Sequence, residues 1–277
     1  MKTWFITGAS RGIGALVTEK ALAKGHAVAA TARNPKAIRD RFGDHPNLLP
    51  VALDVTDEEQ AAAAAKAAID RFGRIDVLLN NAGFGLLGAV EEASAAEVEA
   101  IFRTNVFGLL TVTRALLPHM RKARSGRVLN LSSIGGYRAA AGFGVYSSAK
   151  FAVEGLSEAL HDELAPLGIH VTVVEPGYFR TDFLEASSLS VSPARIADYD
   201  ATAGKVRAIA AGLSRNQPGD PIKLAEVLVA FVDAPIPPMR LPLGSDTVAK
   251  IEAKLETDRA ILAEWRSVAL STDFPAP

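Results

Sequence analysis

Thr3-Trp4-Phe5-Ile6-Thr7 runs without a break into Gly8-Ala9-Ser10-Arg11-Gly12-Ile13-Gly14, and residues 13–24 then place apolar side chains at helical spacing. Residues 27–31 are apolar again, so the opening reads as strand, glycine turn, helix and strand. The glycines have separate uses. They permit a tight turn, let a pyrophosphate approach the backbone and let the helix pack closely on the strand, while the helix N-terminus attracts phosphate. The spacing is Gly-x-x-x-Gly-x-Gly rather than the commoner Gly-x-Gly-x-x-Gly, so an ordinary glycine-rich turn is the competing reading. On the first reading Gly8, Ser10, Arg11, Gly12, Ile13 and Gly14 contact a dinucleotide.

The same alternation continues along the chain. Residues 35–42 read as a short helix, 48–53 as a strand and 57–72 as a helix with an acidic, capped start and an alanine run. Residues 76–80, 127–131 and 170–174 are further buried strands, separated by helices at 95–122 and 145–167. Six such units, with a last strand at 240–243, imply an α/β fold: a Rossmann-like doubly wound parallel sheet of about seven strands, helices on both faces, one domain over 1–277. The period fades after Pro176. Residues 181–215 are too long for an idle loop and predict a partly helical substrate lid. A helix over 220–233 and a C-terminal helical extension over 244–270 complete the chain, which has no internal repeat.

Composition narrows the function. The 277 residues are 49% hydrophobic and 22% charged, with a formal net charge of -1, which gives no long-range attraction for nucleic acid or an anionic membrane. No cysteine is present, excluding disulfides, thiolate catalysis and cysteine-ligated metals. His26, His45, His119, His161 and His170 lack ligand spacing, so no metal site is expected. There is no signal-peptide pattern, and no apolar stretch reads as long enough to span a bilayer; the expected location is cytoplasmic.

Two further patterns carry chemistry. An acid that grips a ribose 2'-hydroxyl belongs about twenty residues after such a glycine loop. Ala32 stands there, followed by Arg33, whose forked donors, with those of Arg11, suit a 2'-phosphate and so favour NADP over NAD. Both arginines can also be read as solvated surface charges. Tyr146 and Lys150 are four apart, one turn of the helix expected there. An ammonium beside a phenol draws its pKa down from ~10 and makes it useful as an acid or base. Ser133, at the end of an apolar run, is placed to hydrogen-bond the same substrate oxygen. The competing reading is a wet helix face.

Together these residues resemble the short-chain dehydrogenase/reductase family of the compact, NADP-preferring type. Residues 7–14 match its Thr-Gly-x-x-x-Gly-x-Gly loop, residues 80–83 its Asn-Asn-Ala-Gly, and residues 176–181 its Pro-Gly-x-x-x-Thr. Asn105, Ser133, Tyr146 and Lys150 match its catalytic set, with the thirteen-residue Ser133 to Tyr146 interval that the family most often shows. The resemblance implies hydride transfer between a nicotinamide and a carbonyl or alcohol. Tyr146 would donate the proton, Ser133 hold the oxygen, and Lys150 lower the tyrosine pKa and bind the nicotinamide ribose. It also implies that Asp54 and Val55 meet the adenine, although Asp54 suits equally a cap for the helix near Asp57. Asn80, Asn81, Ala82 and Gly83 are expected to line the cofactor and steady the sheet. Pro176, Gly177 and Thr181 are expected at the nicotinamide end. Asn105 would bend its helix and hold a water near the lysine, or else be a satisfied core asparagine.

Phe84, Leu86, Phe143, Tyr178, Phe183 and Leu184 flank these motifs and predict an apolar pocket for a hydrophobic ketone, aldehyde or alcohol, as in the hydroxysteroid and retinol dehydrogenase-like members. The same residues could equally be core. A non-catalytic NADP-binding regulator is the alternative function, as is epimerisation or dehydration of a nucleotide sugar; a complete catalytic set and a short C-terminal part speak against them. Members of the family often pair, so a homodimer or homotetramer through the helices of Asn105 and Lys150 is expected.

Overall fold

A strand that is apolar on both sides needs cover on both sides. β1 (Thr3–Ile6) is such a strand: all four residues are buried, with Trp4 and Ile6 in one apolar cluster and Phe5 in the other. In the computed structural model, which describes residues 1–213 and 216–274, this strand lies in the interior of a seven-stranded sheet. α1 (Gly12–Ala23), β2 (Ala27–Ala32), α2 (Lys36–Phe42), β3 (Leu48–Ala52), α3 (Glu58–Phe72) and β4 (Val77–Asn80) follow it. β5 (Gly85–Leu87), α4 (Ala95–Phe102), a π-helical turn (Arg103–Phe107), α5 (Gly108–Ala123) and β6 (Gly126–Leu131) lead to the short α6 (Ile134–Tyr137) and the long α7 (Gly144–Leu164). β7 (Ile169–Pro176), β8 (Leu189–Val191), α8 (Lys205–Leu213), α9 (Pro221–Phe231), β9 (Arg240–Leu243) and α10 (Ser245–Leu270) end the chain.

The sheet order is β3-β2-β1-β4-β6-β7-β9 and every pairing is parallel, the doubly wound arrangement that the alternation implies. α1 and α9 cover one face; α3 and α5 cover the other, where the alanines Ala61, Ala64, Ala65 and Ala68 let the helix sit close. Asp57, not Asp54, caps α3, its carboxylate accepting from the Gln60 amide. A buried polar chain ties helices to strands: the Asn80 amide nitrogen donates to Thr113 and Asn130, and Asn130 donates to Ser157, each at 2.9 Å.

One expectation is corrected here. Within the continuous helical span Ala95–Ala123 the most apolar stretch has a mean hydropathy of 1.2, enough by length and composition alone to cross a membrane. Arg103 and Arg114 interrupt it to the eye without lowering the average enough. Its apolar character is explained by packing, because Leu109, Val112, Leu116 and Met120 are buried in the protein.

The segment expected to form a lid is partly helical, with short turns at Asp182–Leu184 and Ala197–Tyr199 before α8; Ser214 and Arg215, at its expected end, lie outside the described residues. β8 joins it to the body by pairing with β5. A second tie is a latch. The Glu92 carboxylate, fully buried, accepts from the Ala89 and Ile196 amides at 2.8 and 3.0 Å and from Arg207 of α8 at 2.5 Å. By contrast α10 leaves the body: Thr247 is buried, whereas Trp265 is 57% exposed.

The latch fixes a pH dependence. The Arg207 guanidinium, then the Ile196 and Ala89 amides, hold the Glu92 carboxyl at about 2 against an ordinary 4.5. A depressed folded value means the stabilisation is complete above the ordinary value and is lost as pH falls toward the folded one. Thermal unfolding across that window should show wild-type Tm falling more steeply with acid than that of Glu92→Gln, whose Tm is already lower at neutral pH. Parallel acid profiles would contradict the latch.

Candidate active site at the carboxyl edge of the sheet

Parallel strands bring their carboxyl ends to one edge, and loops leaving that edge in opposite directions open a crevice. The crevice here is a cavity of about 1290 Å³. Gly8, Ser10, Arg11, Gly12, Ile13, Arg33, Asp54, Val55, Asn81, Ala82, Gly83, Ser133, Tyr146, Lys150, Pro176, Gly177 and Thr181 all line it, as do the apolar Phe84, Phe143, Tyr178, Phe183 and Leu184. Gly14, Asn80, Leu86 and Asn105 do not. They serve from behind.

The glycine loop is shaped by close approach. Gly12 has φ +56 and faces open space, whereas a Cβ on Gly14 would lie 2.5 Å from the Gly8 carbonyl oxygen, so only glycine lets α1 start against the loop. The Thr7 hydroxyl accepts from the Asn81 and Ala82 amides at 2.9 Å each, and the Asn81 side chain donates to the Thr7 and Gly8 carbonyls. Asn81 thus holds the loop. Asn80, expected to line the cofactor, is 4% exposed and spends its amide on the buried polar chain instead. Alternation along β4 explains this, since successive side chains leave a strand on opposite sides.

Asp54 lines the cavity with its carboxylate accepting from the Thr56 amide and hydroxyl. Arg33 is exposed beside it and makes no hydrogen bond or ion pair among the described residues. Arg11 differs: it donates to the Ser187 carbonyl in the lid. The two arginines expected to act alike are therefore unequal, because only one is free.

At the other end, Ser133 caps α6, its hydroxyl oxygen accepting from the Gly135 amide at 3.0 Å. Tyr146 is 7% exposed, its ring 6.1 Å from that of Phe143 and 5.7 Å from that of Phe183. Lys150 donates to the Leu131 carbonyl at 2.7 Å, with its nitrogen 5.9 Å from the Tyr146 ring centre. Burial pushes the phenol up to about 12, against a hydrogen bond from Ser133 that lowers it. Burial also brings the Lys150 ammonium down to about 8, opposed by the charge of Glu154. The expectation that Lys150 lowers the tyrosine pKa is not met in this structure. Desolvation of the buried phenol is the largest cause, and the ammonium is turned to the Leu131 carbonyl.

Asn105 is satisfied by the backbone of Phe84: its side-chain oxygen accepts from the Phe84 N–H at 3.1 Å and its nitrogen donates to the Phe84 carbonyl at 2.9 Å. It sits in the π-helical turn, where an added residue bends the long helix. Lys250 of α10 lies 4.7 Å from the centre of the Tyr178 ring and lines the cavity too. Nothing in a charged C-terminal helix distinguishes that lysine. Glu154, Glu175 and Arg240, which meet behind Lys150, were likewise hidden; the spacing of four between Lys150 and Glu154 is the signal that points to them.

Comparison with known proteins agrees with this fold. A solved short-chain dehydrogenase from Streptomyces avermitilis is 42% identical, covers 99% of both chains and superposes with a TM-score of 0.92. The structure of ElxO with NADP bound is 28% identical over 90% of this chain and 99% of that one, with a TM-score of 0.74. A 3-ketodihydrosphingosine reductase of Bacteroides thetaiotaomicron is 38% identical over 86% of each chain. The sequence profile of the short chain dehydrogenases matches residues 2–191, from the first strand through the lid's entry, and on these grounds the chain belongs to that family of oxidoreductases.

Proposed function

We propose that the protein is an NADP(H)-dependent oxidoreductase that interconverts a carbonyl and an alcohol on a hydrophobic small molecule. The observation that carries this reading is the buried Tyr146 phenol beside the Ser133 hydroxyl, walled by Phe143 and Phe183 at the edge where the glycine loop also opens. The glycine cradle, with its open face at Gly12, fits a dinucleotide, and the unpaired Arg33 fits its 2'-phosphate. When bound, the nicotinamide supplies or accepts the hydride.

In reduction, Tyr146 gives its proton to the substrate oxygen, a role suited to a phenol that is protonated at neutral pH. Ser133 holds that oxygen as charge develops on it. Lys150, fixed by the Leu131 carbonyl, offers its remaining N–H donors to the nicotinamide ribose. Phe84, Tyr178, Phe183 and Leu184 exclude water and favour an apolar body on the substrate. An apolar ketone satisfies these conditions, and the Bacteroides relative is by name a reductase of a keto compound, 3-ketodihydrosphingosine. Pairing of two chains belongs to the same proposal, supported by Phe107 and Phe151, 56% and 43% exposed on the helical surface beside Asn105 and Lys150. Sedimentation should give twice the 29.2 kDa chain mass, and a single 29.2 kDa species would remove the pairing.

Loss of the Arg33 fork should cost NADPH affinity about 10- to 100-fold, as for one charge-assisted contact, with little change for NADH. Titration of Arg33→Asp by nicotinamide fluorescence checks it; equal affinities for the two cofactors in the native protein would end the NADP reading. Tyr146→Phe should reduce turnover by roughly 100 to 10,000-fold and leave NADPH binding intact. Lys150→Met should lower both, and Ser133→Ala should fall between in turnover. A carbonyl-substrate scan with NADPH supplies the assay, and near-native turnover by Tyr146→Phe would refute the mechanism.

A further inference from the structure

Behind Lys150, away from the cavity, lies a set of charges that neither hydride nor proton transfer requires. Glu154 is one helical turn along α7 from Lys150 and only 5% exposed; Glu175, in β7, is completely buried. Arg240, at the start of β9, donates through the same nitrogen, Nη1, to Glu154 Oε2 and to Glu175 Oε1, the latter at 2.6 Å. Its other nitrogen donates to Glu158, and its guanidinium lies 5.4 Å from the centre of the Tyr137 ring. Three carboxylates therefore meet one cation. Glu158, with its side chain 53% exposed, is open to water, whereas the other two are buried, where two adjacent carboxylate charges are costly.

Among the described residues, their second oxygens, Glu154 Oε1 and Glu175 Oε2, are buried with no hydrogen bond of ordinary geometry, and the Ser132 hydroxyl is the neutral donor nearest at hand to Glu154. An orphaned oxygen on each of two carboxylates that share one donor nitrogen has a simple remedy. One proton placed between them satisfies both and removes a buried charge. Burial first, then the neighbouring Glu175, raise the Glu154 carboxyl well above the ordinary range, while Ser132 and Arg240 pull it down. Gly136 leaves room for this convergence: a Cβ there would come within 3.0 Å of both Glu154 Oε1 and the Lys150 carbonyl oxygen. The groups facing Glu154 are Lys150 and Glu158 on its own helix, Glu175 from β7, Arg240 from β9 and Ser132 after β6; Tyr137 of α6 faces Arg240.

We propose that Glu154 and Glu175 share one proton between their buried oxygens, and that Glu154 is a positioning residue which keeps the Lys150 ammonium charged. The second half rests on the role assigned to Lys150 above. With the proton shared, the pair carries a single negative charge. When that proton leaves at higher pH the pair carries two, one of them a helical turn from Lys150, and the ammonium survives further into the alkaline range. E154Q has the same charge as the native pair at neutral pH but cannot gain the second.

Infrared spectra of the full chain, titrated from mildly acidic to alkaline pH without substrate or cofactor, test the first half. The native protein should show the carbonyl stretch of one protonated carboxyl group persisting at neutral pH and vanishing with base; E154Q and E175Q should each lack it. A native protein without that band, or an E154Q protein that retains it, overturns the proposal. Should E154Q fail to fold, E175Q decides the same point. For the second half, the alkaline limb of kcat/KM in E154Q should move to lower pH, costing about tenfold in rate beyond the limb for each unit moved. A purely structural Glu154 would lower Tm and the whole profile together without moving the limb, and that result also overturns it. A native protein with no reductase activity would instead fault the assignment of function, and the infrared arm would still decide the proton.

Discussion

The Lys150 ammonium, 6% exposed, is held at 2.7 Å by the carbonyl of Leu131, the residue on which β6 ends. A buried charge of this kind costs several kcal/mol unless it is paired or hydrogen-bonded, so the helix that carries it cannot slide or rotate against the sheet without exposing the cost. Everything at the reactive end follows from that fixed point. Tyr146 is one turn before Lys150 and Glu154 one turn after, so a single carbonyl sets the register of phenol, ammonium and carboxylate together.

The same helix is pinned a second time, lower down, by polar groups in the core. Asn130 of β6 donates to Ser157 of α7, and through Asn80 of β4 the chain of hydrogen bonds reaches Thr113 of α5. Apolar packing alone tolerates small shifts, whereas a hydrogen-bonded polar chain in a low-dielectric interior tolerates few. The rigidity of the inner wall contrasts with the outer one. There residues 181–184 and 186–190 line the cavity, and the segment they belong to is tied to the body by the β5–β8 pairing and the Glu92–Arg207 latch, with the Arg11 contact to Ser187 joining it to the glycine loop.

What the sequence revealed was whatever local physics enforces. β1, β2 and β4 are buried throughout and mostly apolar because both faces of a parallel strand are covered, Gly12 takes a left-handed φ, and Gly14 stands where a Cβ would strike the Gly8 carbonyl. Tyr146, Lys150 and Ser133 were legible from their spacing, and the structure brings them to one cavity with the glycine loop. Their electrostatics were not legible, since the phenol responds to how deeply the fold buries it, a property that spacing does not carry. β5 and β8 are three residues each, too short for any period to show. The Glu92 latch and the Glu154–Glu175–Arg240 cluster join residues far apart in the chain, where each member looks like an ordinary surface charge. Asn80 and Asn81 look interchangeable in a sequence, and only the alternation of the strand assigns one to the core and one to the loop.

The tryptophans divide between the two regimes of the molecule. Trp4 sits at the centre of the sheet with no exposure, and Trp265 stands on the part of α10 that has left the body. With only these two in the chain, the intrinsic emission separates into a shielded and a water-facing component. Quenchers dissolved in the solvent reach the second first. The native protein thereby carries an optical record of its own: the shielded component reports the integrity of the sheet, and the other reports anything that comes to rest on the projecting helix.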